Sequence, residues 1–467
     1  MKFTLLLQLL AITMPQIFSN DMVLQQGRSV PVWGTAGASE AVTVTLAAED
    51  GAAIAAKVKT KAAKDGSFRV DLPALTADGR TYTLTVAGKK ESVTFTNVAV
   101  GEVWLCSGQS NMAYEMKRSW QAPPRKGEDL ATAELEKDDN PMVRVFVPGR
   151  PRPQGWPMPQ NMPQMAVDNG WKIAGAQSLG RISAAGYFFA KNLSEALGVP
   201  VGIISSASGG SAIEQWIPGG NLYDSGIKAL FPFAVGGILW YQGETNLTLE
   251  TPDYVEKFET LAADWRAGFE SPDAPVYCVM LAPHTYSDRL HRGHTVTSEA
   301  LPLFWQTQLE ASEAVPNSRA ICITDLVDNL EDIHPSYKWI VGERLANLAL
   351  AETYKSPLVT EWSGPTAAGL RIDGAKAIVK FAHVADGLKG RSNSVEPNST
   401  PRLKWFEVAG KDGVWHQALA EIISADEVAV SHPDVPDPAA VRFAWRETAQ
   451  PNLFNSLDLP AYPFVLK

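Results

Sequence analysis

The chain has 467 residues, which predicts two to four domains at roughly 100–200 residues each. Hydrophobic residues make up 45% and charged residues 20%, a globular balance, and no stretch approaches the roughly 18 continuous apolar residues of a membrane-spanning helix. Acidic residues outnumber basic ones by 51 to 41, which gives a net charge of −10. Since no basic patch is evident, nucleic acid is excluded as an expected partner.

The three cysteines, Cys106, Cys278 and Cys322, exclude a disulfide framework and a zinc knuckle, because they cannot all pair and none forms a CxxC motif. A single bridge remains open. The favoured interpretation is that they are small buried residues of core strands.

The first 15 residues resemble a secretory signal peptide, with Lys2 ahead of an apolar run from Phe3 to Met14. This pattern favours a secreted or periplasmic protein. The alternative is a cytoplasmic protein whose first strand has a hydrophobic leader.

Residues 16–97 read as short β segments separated by Gly, Asp and Ala-rich turns. Two examples are Val42–Leu46 and Tyr82–Val86, which alternate with period two. Strands at this spacing, without helices between them, predict a small antiparallel sandwich.

Residues 98–355 alternate strands and helices, which predicts a three-layer α/β domain with a mainly parallel sheet. The predicted strands are Val98–Cys106, Val201–Ser205, Gly236–Tyr241, Val276–Leu281 and Ala320–Thr324, and the predicted helices are Ala184–Leu197, Tyr254–Phe269, Phe304–Ala314 and Tyr337–Ala351. The Pro- and Met-rich stretch Pro148–Met165 interrupts this pattern, either as the rim of a site or as a surface loop. Residues 356–467 return to β patterning and predict a second β-rich domain.

Ser110 lies in the segment CSGQSNM, directly after the first strand of the α/β region. Ligands of such sheets bind beyond the carboxyl ends of the strands, so a serine on this turn is placed as an acyl-transfer nucleophile. The alternative is a serine that caps a helix.

Two further turns follow strand ends. SASGGS places Gly209 and Gly210 where backbone amides can stabilise an oxyanion, and YQGETN adds the side-chain amide of Gln242. Glu244 and Asn246 in the second turn are candidates for structural hydrogen bonds. A Gly-Gly pair by itself indicates only a loop.

His334 follows Glu331 and Asp332 in the loop after the fifth strand, so it is placed as a general base whose tautomer a neighbouring carboxylate can set. The pair His291 and His294 lacks an evident third ligand. We therefore expect no metal site, and acyl transfer by a serine and a histidine requires no organic cofactor.

Ser, Gly, Gln and His in this order resemble the SGNH hydrolase superfamily. The blocks CSGQSNM, SASGGSAIEQWIP, ILWYQGETN and EDIHP resemble the sialate O-acetylesterase family within it. The opening IFSNDMVLQ and the ending VRFAWRETAQPNLFNSLDLPAYPF are also similar to that family, so the resemblance spans nearly the whole chain.

The resemblance implies Ser110 as nucleophile and His334 as base. It also implies an oxyanion hole made by the amides of Ser110 and of Gly209 or Gly210, with the Gln242 side chain. The orienting acid is open: the superfamily spacing favours Glu331, the family's frequent Asp-Ile-His-Pro favours Asp332, and a Ser–His dyad needs neither. Asn111, Trp216 and Glu244 are predicted to contact substrate.

The predicted substrate is an acetylated carbohydrate, with O-acetylated sialic acid favoured over xylan or another polysaccharide. An arginine that binds a carboxylate would favour sialic acid, and Arg152, Arg181 and Arg292 are candidates. The alternative from another class is a non-catalytic carbohydrate-binding protein with an inactive core. The oligomeric state is not readable from the sequence.

Overall fold

The computed structural model describes residues 12–51, 53–120, 123–149, 170–291, 293, 295–398, 400 and 402–467. A central α/β region lies between an N-terminal and a C-terminal β region, as the sequence predicts. Within these described ranges, no helix is long and apolar enough to cross a bilayer.

The N-terminal region alternates buried and exposed side chains along its strands, as in β3, where every second residue from Val42 to Ala48 is buried. This period of two is the pattern of a sheet with one face against a core. Its strands are β1 Val23–Gln25, β2 Val30–Thr35, β3 Ala41–Ala48, β4 Ile54–Lys61, β5 Ser67–Leu72, β6 Thr81–Ala87 and β7 Ser92–Gly108. β2 and β5 form a separate ribbon. Thr13, inside the candidate signal peptide, exchanges two backbone hydrogen bonds of 2.9 Å with Thr35.

Strand β7 belongs to both the N-terminal and the central regions. Its first part pairs antiparallel with β6, and its last part is the centre of the parallel sheet. The predicted boundary at residues 97 and 98 therefore falls inside one continuous strand. The buried Arg144 reinforces this junction, since its guanidinium donates to the backbone carbonyls of Asn97 and Met22.

The central sheet has the order β13-β12-β11-β7-β10-β8-β9, and every pair is parallel except β8 with β9. The strands after β7 are β8 Asn140–Phe146, β9 Lys172–Ala174, β10 Val201–Ala207, β11 Gly237–Tyr241, β12 Val276–Val279 and β13 Ser318–Ile321. The helices are α1 Leu130–Leu135, α2 Ala184–Leu197, α3 Glu244–Thr248, α4 Tyr254–Gly268, α5 Ala300–Ala314 and α6 Lys338–Glu352. The chain continues to one side of β7 through β10 and later to the other side through β11, so the crevice where ligands bind in such sheets lies at the end of β7.

The predicted strands and helices of this region are all present, with boundaries that shift by up to six residues. The pattern missed α1, β8, β9 and α3. Most of these are short, and the apolar run of β8 is interrupted by Arg144. Most of Pro148–Met165 lies outside the described residues.

The C-terminal region forms two four-stranded antiparallel sheets and one two-stranded ribbon, in the orders β14-β15-β20-β19, β18-β17-β21-β23 and β16-β22. It contacts the central region, since the Tyr462 hydroxyl donates to the carbonyl of Ala320 over 2.7 Å. The strands are β14 Thr366–Asp373, β15 Lys376–Ala382, β16 Leu388–Gly390, β17 Phe406–Ala409, β18 Trp415–Gln417, β19 Leu419–Ile422, β20 Glu427–Ser431, β21 Ala440–Phe443, β22 Leu453–Asn455 and β23 Phe464–Leu466. All three cysteines are buried and unpaired, which confirms their interpretation as core residues.

Candidate active site

The four predicted blocks meet at the carboxyl edge of the central sheet. Gly108 ends β7 beside Tyr241 of β11, and its φ of +138° is one that L side chains rarely adopt. A Cβ there would lie 2.1 Å from the Tyr241 carbonyl oxygen. Glycine thus lets β7 and β11 close together just before the chain turns into Ser110.

Ser110 is half-buried on this turn, and Gly209 lies against it. A Cβ at Gly209 would be 3.7 Å from the Ser110 Cβ. The turn after β10 is attached to the Ser110 turn by the Ser208 amide, which donates to the Gly108 carbonyl over 3.0 Å. Among the described residues, no acceptor takes the backbone N–H of Ser110, Gly209 or Gly210. Unpaired amides around a serine hydroxyl are what an oxyanion requires.

His334 lies in the loop between β13 and α6. Its Nδ1 is 3.4 Å from Asp332 Oδ1 and 3.2 Å from Arg118 Nη2. The same Asp332 oxygen accepts the His334 amide over 2.9 Å, whereas the Glu331 side chain is exposed to solvent. Of the two predicted acids, Asp332 is therefore the one that the structure brings to the ring.

The Nε2 atom of His334 is buried and has no hydrogen-bond partner in the described part of the chain. No hydrogen bond joins it to the Ser110 hydroxyl, as is common in an active site without substrate. Burial, followed by the charges of Arg118 and Lys338, lowers the pKa of His334 to about 4, while Asp332 acts in the opposite direction. At neutral pH the ring is uncharged, which is the form that a base requires.

Asn111 connects the serine turn to the histidine loop. Its Nδ2 donates to the carbonyl of Ile333 over 3.0 Å and also to Glu244 Oε1. Its Oδ1 accepts from Lys338 Nζ over 2.9 Å, and the same ammonium donates to the Pro335 carbonyl. The carbonyls on both sides of His334 are thus held through the residue that follows Ser110.

Lys338 and Glu244 are the buried charges of this network. Burial lowers the pKa of Lys338 to about 7, and the Glu244 carboxylate opposes that shift. Burial likewise raises the pKa of Glu244, whose Oε2 has no partner among the described residues. The sequence showed Glu244 and Asn111 as polar residues of strand-end turns but gave no signal for Lys338, since both of these residues are more than 90 positions away from it in the chain.

The Gln242 side chain is not placed as predicted. Its Nε2 donates to Gln109 Oε1, to the Ser211 carbonyl and to Asn246 Oδ1, at 3.0, 3.0 and 2.7 Å. Its Oε1 accepts from the Tyr254 hydroxyl over 3.1 Å, and the residue is fully buried. The predicted oxyanion donor is therefore committed to internal hydrogen bonds and positions Gln109 instead.

Gln109 is the amide that this network leaves available. Its Oε1 also accepts from the amides of Gly243 and Thr245, at 3.2 and 3.3 Å, which sets the orientation of the group. Its Nε2 has no acceptor among the described residues and is not sealed from solvent. A donor beside Ser110 was thus present in the motif, but only the contacts distinguish it from Gln242.

The side chains of Asn111, Trp216 and Glu244, which are predicted to contact substrate, are 1%, 0% and 4% exposed. Trp216 donates from Nε1 to Ser211 Oγ over 2.9 Å and packs edge-on against Trp240 and Trp265. Substrate contact by these three side chains stays a prediction.

A cavity of about 210 Å³ adjoins His334 and Asp332. Arg125 and Asp328 line its other side. Of the arginines predicted to bind a carboxylate, Arg152 and Arg292 lie outside the described residues, and Arg181 lies in a short helical turn, Leu179–Arg181. The arginine that contacts the histidine is Arg118, which carries no motif.

His294 lies outside the described residues, so the HRGH pair stays untested. One group within the described ranges has the geometry of a metal site, namely His416, His432 and Asp434, whose ligand atoms lie within 4.8 Å of one another. It belongs to the C-terminal β region, where His432 Nδ1 already accepts the Asp434 amide over 3.1 Å.

Comparison with known proteins identifies the family of the chain. Residues 100–351 match the sequence model of the family described as carbohydrate esterase, sialic acid-specific acetylesterase. Sialate O-acetylesterase from Homo sapiens is 26% identical over 507 aligned residues, which cover 96% of this chain and 91% of the relative. The same enzyme from Pongo abelii is also 26% identical, with the same coverage.

A solved structure resembles the whole chain. The crystal structure of a carbohydrate acetylesterase from Xanthomonas citri superimposes with a TM-score of 0.80 at 31% identity, and it covers 98% of this chain and 100% of its own. The fold and these relatives define a carboxylic ester hydrolase that removes acetyl groups from sugars. The chain belongs to the sialic acid-specific acetylesterase family of carbohydrate esterases.

Proposed function

We propose that Ser110 is the nucleophile and His334 the general base of a two-step acetyl transfer. The observation that carries the proposal is the clamp through Asn111, which ties the Ser110 turn to both carbonyls that flank His334. These hydrogen bonds fix the positions of the nucleophile and the base relative to each other, which acyl transfer requires.

In the first step the Ser110 Oγ forms a bond to the acetyl carbonyl carbon, and its proton passes to His334 Nε2. The carbonyl electrons move to oxygen and return as the C–O bond to the sugar breaks. The sugar oxygen then takes the proton from Nε2. In the second step, water loses a proton to Nε2 and attacks the acetyl-serine, and acetate and the free serine result.

Three donors are proposed for the oxyanion: the Ser110 amide, the Gly209 or Gly210 amide, and the Gln109 side chain in place of Gln242. Asp332 is proposed as the acid that holds the Nδ1–H tautomer of His334, because its carboxylate lies at that nitrogen and the Glu331 side chain does not. These roles need only side chains and amides of this chain.

The proposed substrates are acetylated sugars, with O-acetylated sialic acid preferred. The relatives named sialate O-acetylesterase support this preference, as do the arginines Arg118 and Arg125 beside the histidine. A polysaccharide acetyl ester is the second candidate, because the relative from Xanthomonas citri is a carbohydrate acetylesterase.

The test is acetate release from O-acetylated sialic acid and from acetylated xylo-oligosaccharides by the parent protein and Ser110→Ala. We expect release by the parent and none above background by the variant. Asn317→Ala, a change on the far side of the sheet at the start of β13, is the matched control. Full activity of Ser110→Ala on either substrate would contradict the proposed nucleophile.

A further inference from the structure

The Nδ1 atom of His334 faces two groups that make opposite demands on it. Arg118 Nη2 lies 3.2 Å away and Asp332 Oδ1 lies 3.4 Å away. A guanidinium only donates hydrogen bonds, whereas a carboxylate only accepts them. A neutral imidazole nitrogen carries either a proton or a lone pair, so Nδ1 can satisfy only one of the two groups.

The choice between these two partners determines whether His334 can act as a base. When Arg118 donates to Nδ1, the ring proton sits on Nε2, and Nε2 cannot accept the proton of Ser110. When Nδ1–H donates to Asp332, the lone pair is on Nε2 and the ring is competent. Arg118 is the nearer of the two groups to Nδ1.

Arg118 is a half-exposed cation without a carboxylate partner in the part of the chain that the structure describes. Its guanidinium lies 5.0 Å from the ring centroid of Tyr114, on a short helical turn, Met116–Trp120. The His334 ring that it contacts also lines a cavity, together with Asp332 and Arg125. A carboxylate that enters this cavity offers the guanidinium a stronger, charge-assisted partner than a neutral imidazole nitrogen.

We propose that Arg118 is the specificity-determining residue of this esterase and selects acetylated sugars that carry a carboxylate. The carboxylate draws the guanidinium away from Nδ1, the ring proton moves to Nδ1 by exchange with water, and His334 becomes a base held by Asp332. A neutral acetylated sugar leaves the arginine on the ring and is turned over more slowly. This inference deepens the proposed function and depends on Ser110 and His334 acting as described there.

The charges around the ring agree with this arrangement. Arg118 from the short helical turn and Lys338 from α6 both lower the pKa of His334, and Asp332 from its own loop raises it. Lys338 is compensated by Glu244 through Asn111, and Arg125 and Asp328 line the adjoining cavity. Arg118 is thus the cation beside the ring that a substrate can neutralise.

The experiment compares the parent, Arg118→Gln and the matched control Lys117→Gln, which removes a neighbouring charge that pairs instead with Glu115. Four substrates are used: O-acetylated sialic acid, an acetylated glucuronic acid, an acetylated xylo-oligosaccharide and an aryl acetate. For Arg118→Gln we expect kcat/KM on both acidic sugars to fall about tenfold or more relative to the neutral sugar, as expected for loss of a charged hydrogen bond. A melting temperature close to that of the parent shows that the variant is folded.

The pH profile supplies a second readout. In Arg118→Gln the acidic limb of kcat/KM on the aryl acetate should move to higher pH, since a cation that disfavours protonation of His334 has been removed. A preference for acidic sugars that survives Arg118→Gln would overturn the proposal, as would an equal loss of activity on all four substrates. If the parent prefers only one of the two acidic sugars, the carboxylate that Arg118 binds is the one of that sugar. A parent protein that is inactive on every acetate would instead refute the esterase mechanism itself. Failure of the proposed function is thus distinguishable from failure of the proposal about Arg118.

Discussion

At the scale of single residues, the site depends on two glutamines whose roles are set by their contacts. Gln242 donates into the core and holds Gln109, whose own amide nitrogen has no acceptor among the described residues. Both are amides at strand ends, so residue type alone assigns them equally well to the oxyanion. Hydrogen-bond accounting separates them, because a buried amide with three acceptors has no donor left for substrate.

Gln109→Glu tests this assignment. Glutamate keeps the oxygen that accepts from the Gly243 and Thr245 amides but replaces the donor with a second acceptor. We expect kcat to fall by about 10²–10³-fold, the usual cost of one oxyanion donor, with a folded protein. Stopped assays on an aryl acetate and thermal unfolding measure the two effects.

Gln242→Glu is the matched control. It sets a carboxylate against the oxygens of Gln109, Ser211 and Asn246, so its main effect should be a lower melting temperature. Equal stability losses in the two variants, or an unchanged kcat in Gln109→Glu, would show that Gln109 does not hold the oxyanion.

Lys338 offers a second residue-scale prediction. Lys338→Met leaves Glu244 buried without its cation, so the free energy of unfolding should fall by about 3–5 kcal/mol. The double variant Lys338→Met with Glu244→Leu removes both charges and should recover much of that stability. Activity should not recover, since the Pro335 carbonyl and Asn111 stay unanchored. Recovery of both properties would contradict a positioning role.

The pH dependence of stability checks the same lysine. Its pKa in the folded protein, about 7, lies below the ordinary value of 10.5. Between these values the unfolded chain binds a proton that the folded chain lacks, so stability should rise as pH increases from 7 to 9. Chemical unfolding at both pH values should show this rise in the parent and a smaller one in Lys338→Met.

At the scale of elements, the turn at the end of β7 depends on a close approach that only glycine permits. Gly108 and Gly79 both have positive φ, but a Cβ at Gly79 meets nothing within 4 Å. Gly79→Ala should therefore cost about 1–2 kcal/mol from backbone strain alone.

Gly108→Ala adds a collision with the Tyr241 carbonyl, so we expect a clearly larger loss of stability together with loss of esterase activity. Equilibrium unfolding and acetate release measure both effects. Equal stability losses in the Gly79 and Gly108 variants would show that the close approach of β7 and β11 is not required.

At the scale of the whole molecule, β7 makes the N-terminal β region part of the esterase core. Leu46 is fully buried in β3, and Leu46→Ala should cost about 2–5 kcal/mol. Because β7 runs through both regions, the temperatures of inactivation and of unfolding should fall together. Full activity above the melting of the N-terminal region would show that the two units unfold independently.

The fold was predictable from sequence where apolar periodicity is strong and local. Ala184–Leu197 was predicted with the observed bounds, and the five buried strands were placed within a few residues. The boundary at residue 97 was not predictable, because a strand that changes partners halfway keeps one continuous pattern. Short elements such as α3 carry too few residues for a period to emerge.

The candidate site was predictable as four blocks on neighbouring strand ends, since a parallel sheet brings these ends to one edge. Its details were not predictable from the sequence. These are the position of Asp332 rather than Glu331 at the histidine, the free amide of Gln109 rather than Gln242, and the presence of Arg118 and Lys338. Those depend on side-chain direction and on contacts between residues far apart in sequence, which no local pattern encodes. Export and the role of Pro148–Met165 stay predictions.

The most direct test of the account is to trap the acetyl-enzyme. The parent protein is mixed with an aryl acetate, quenched in acid within one turnover, and analysed by intact mass and peptide mapping. We predict one added acetyl group, located on Ser110 and missing from Ser110→Ala. Rapid turnover with an acetyl group on another residue, or the same adduct in the variant, would contradict the central claim.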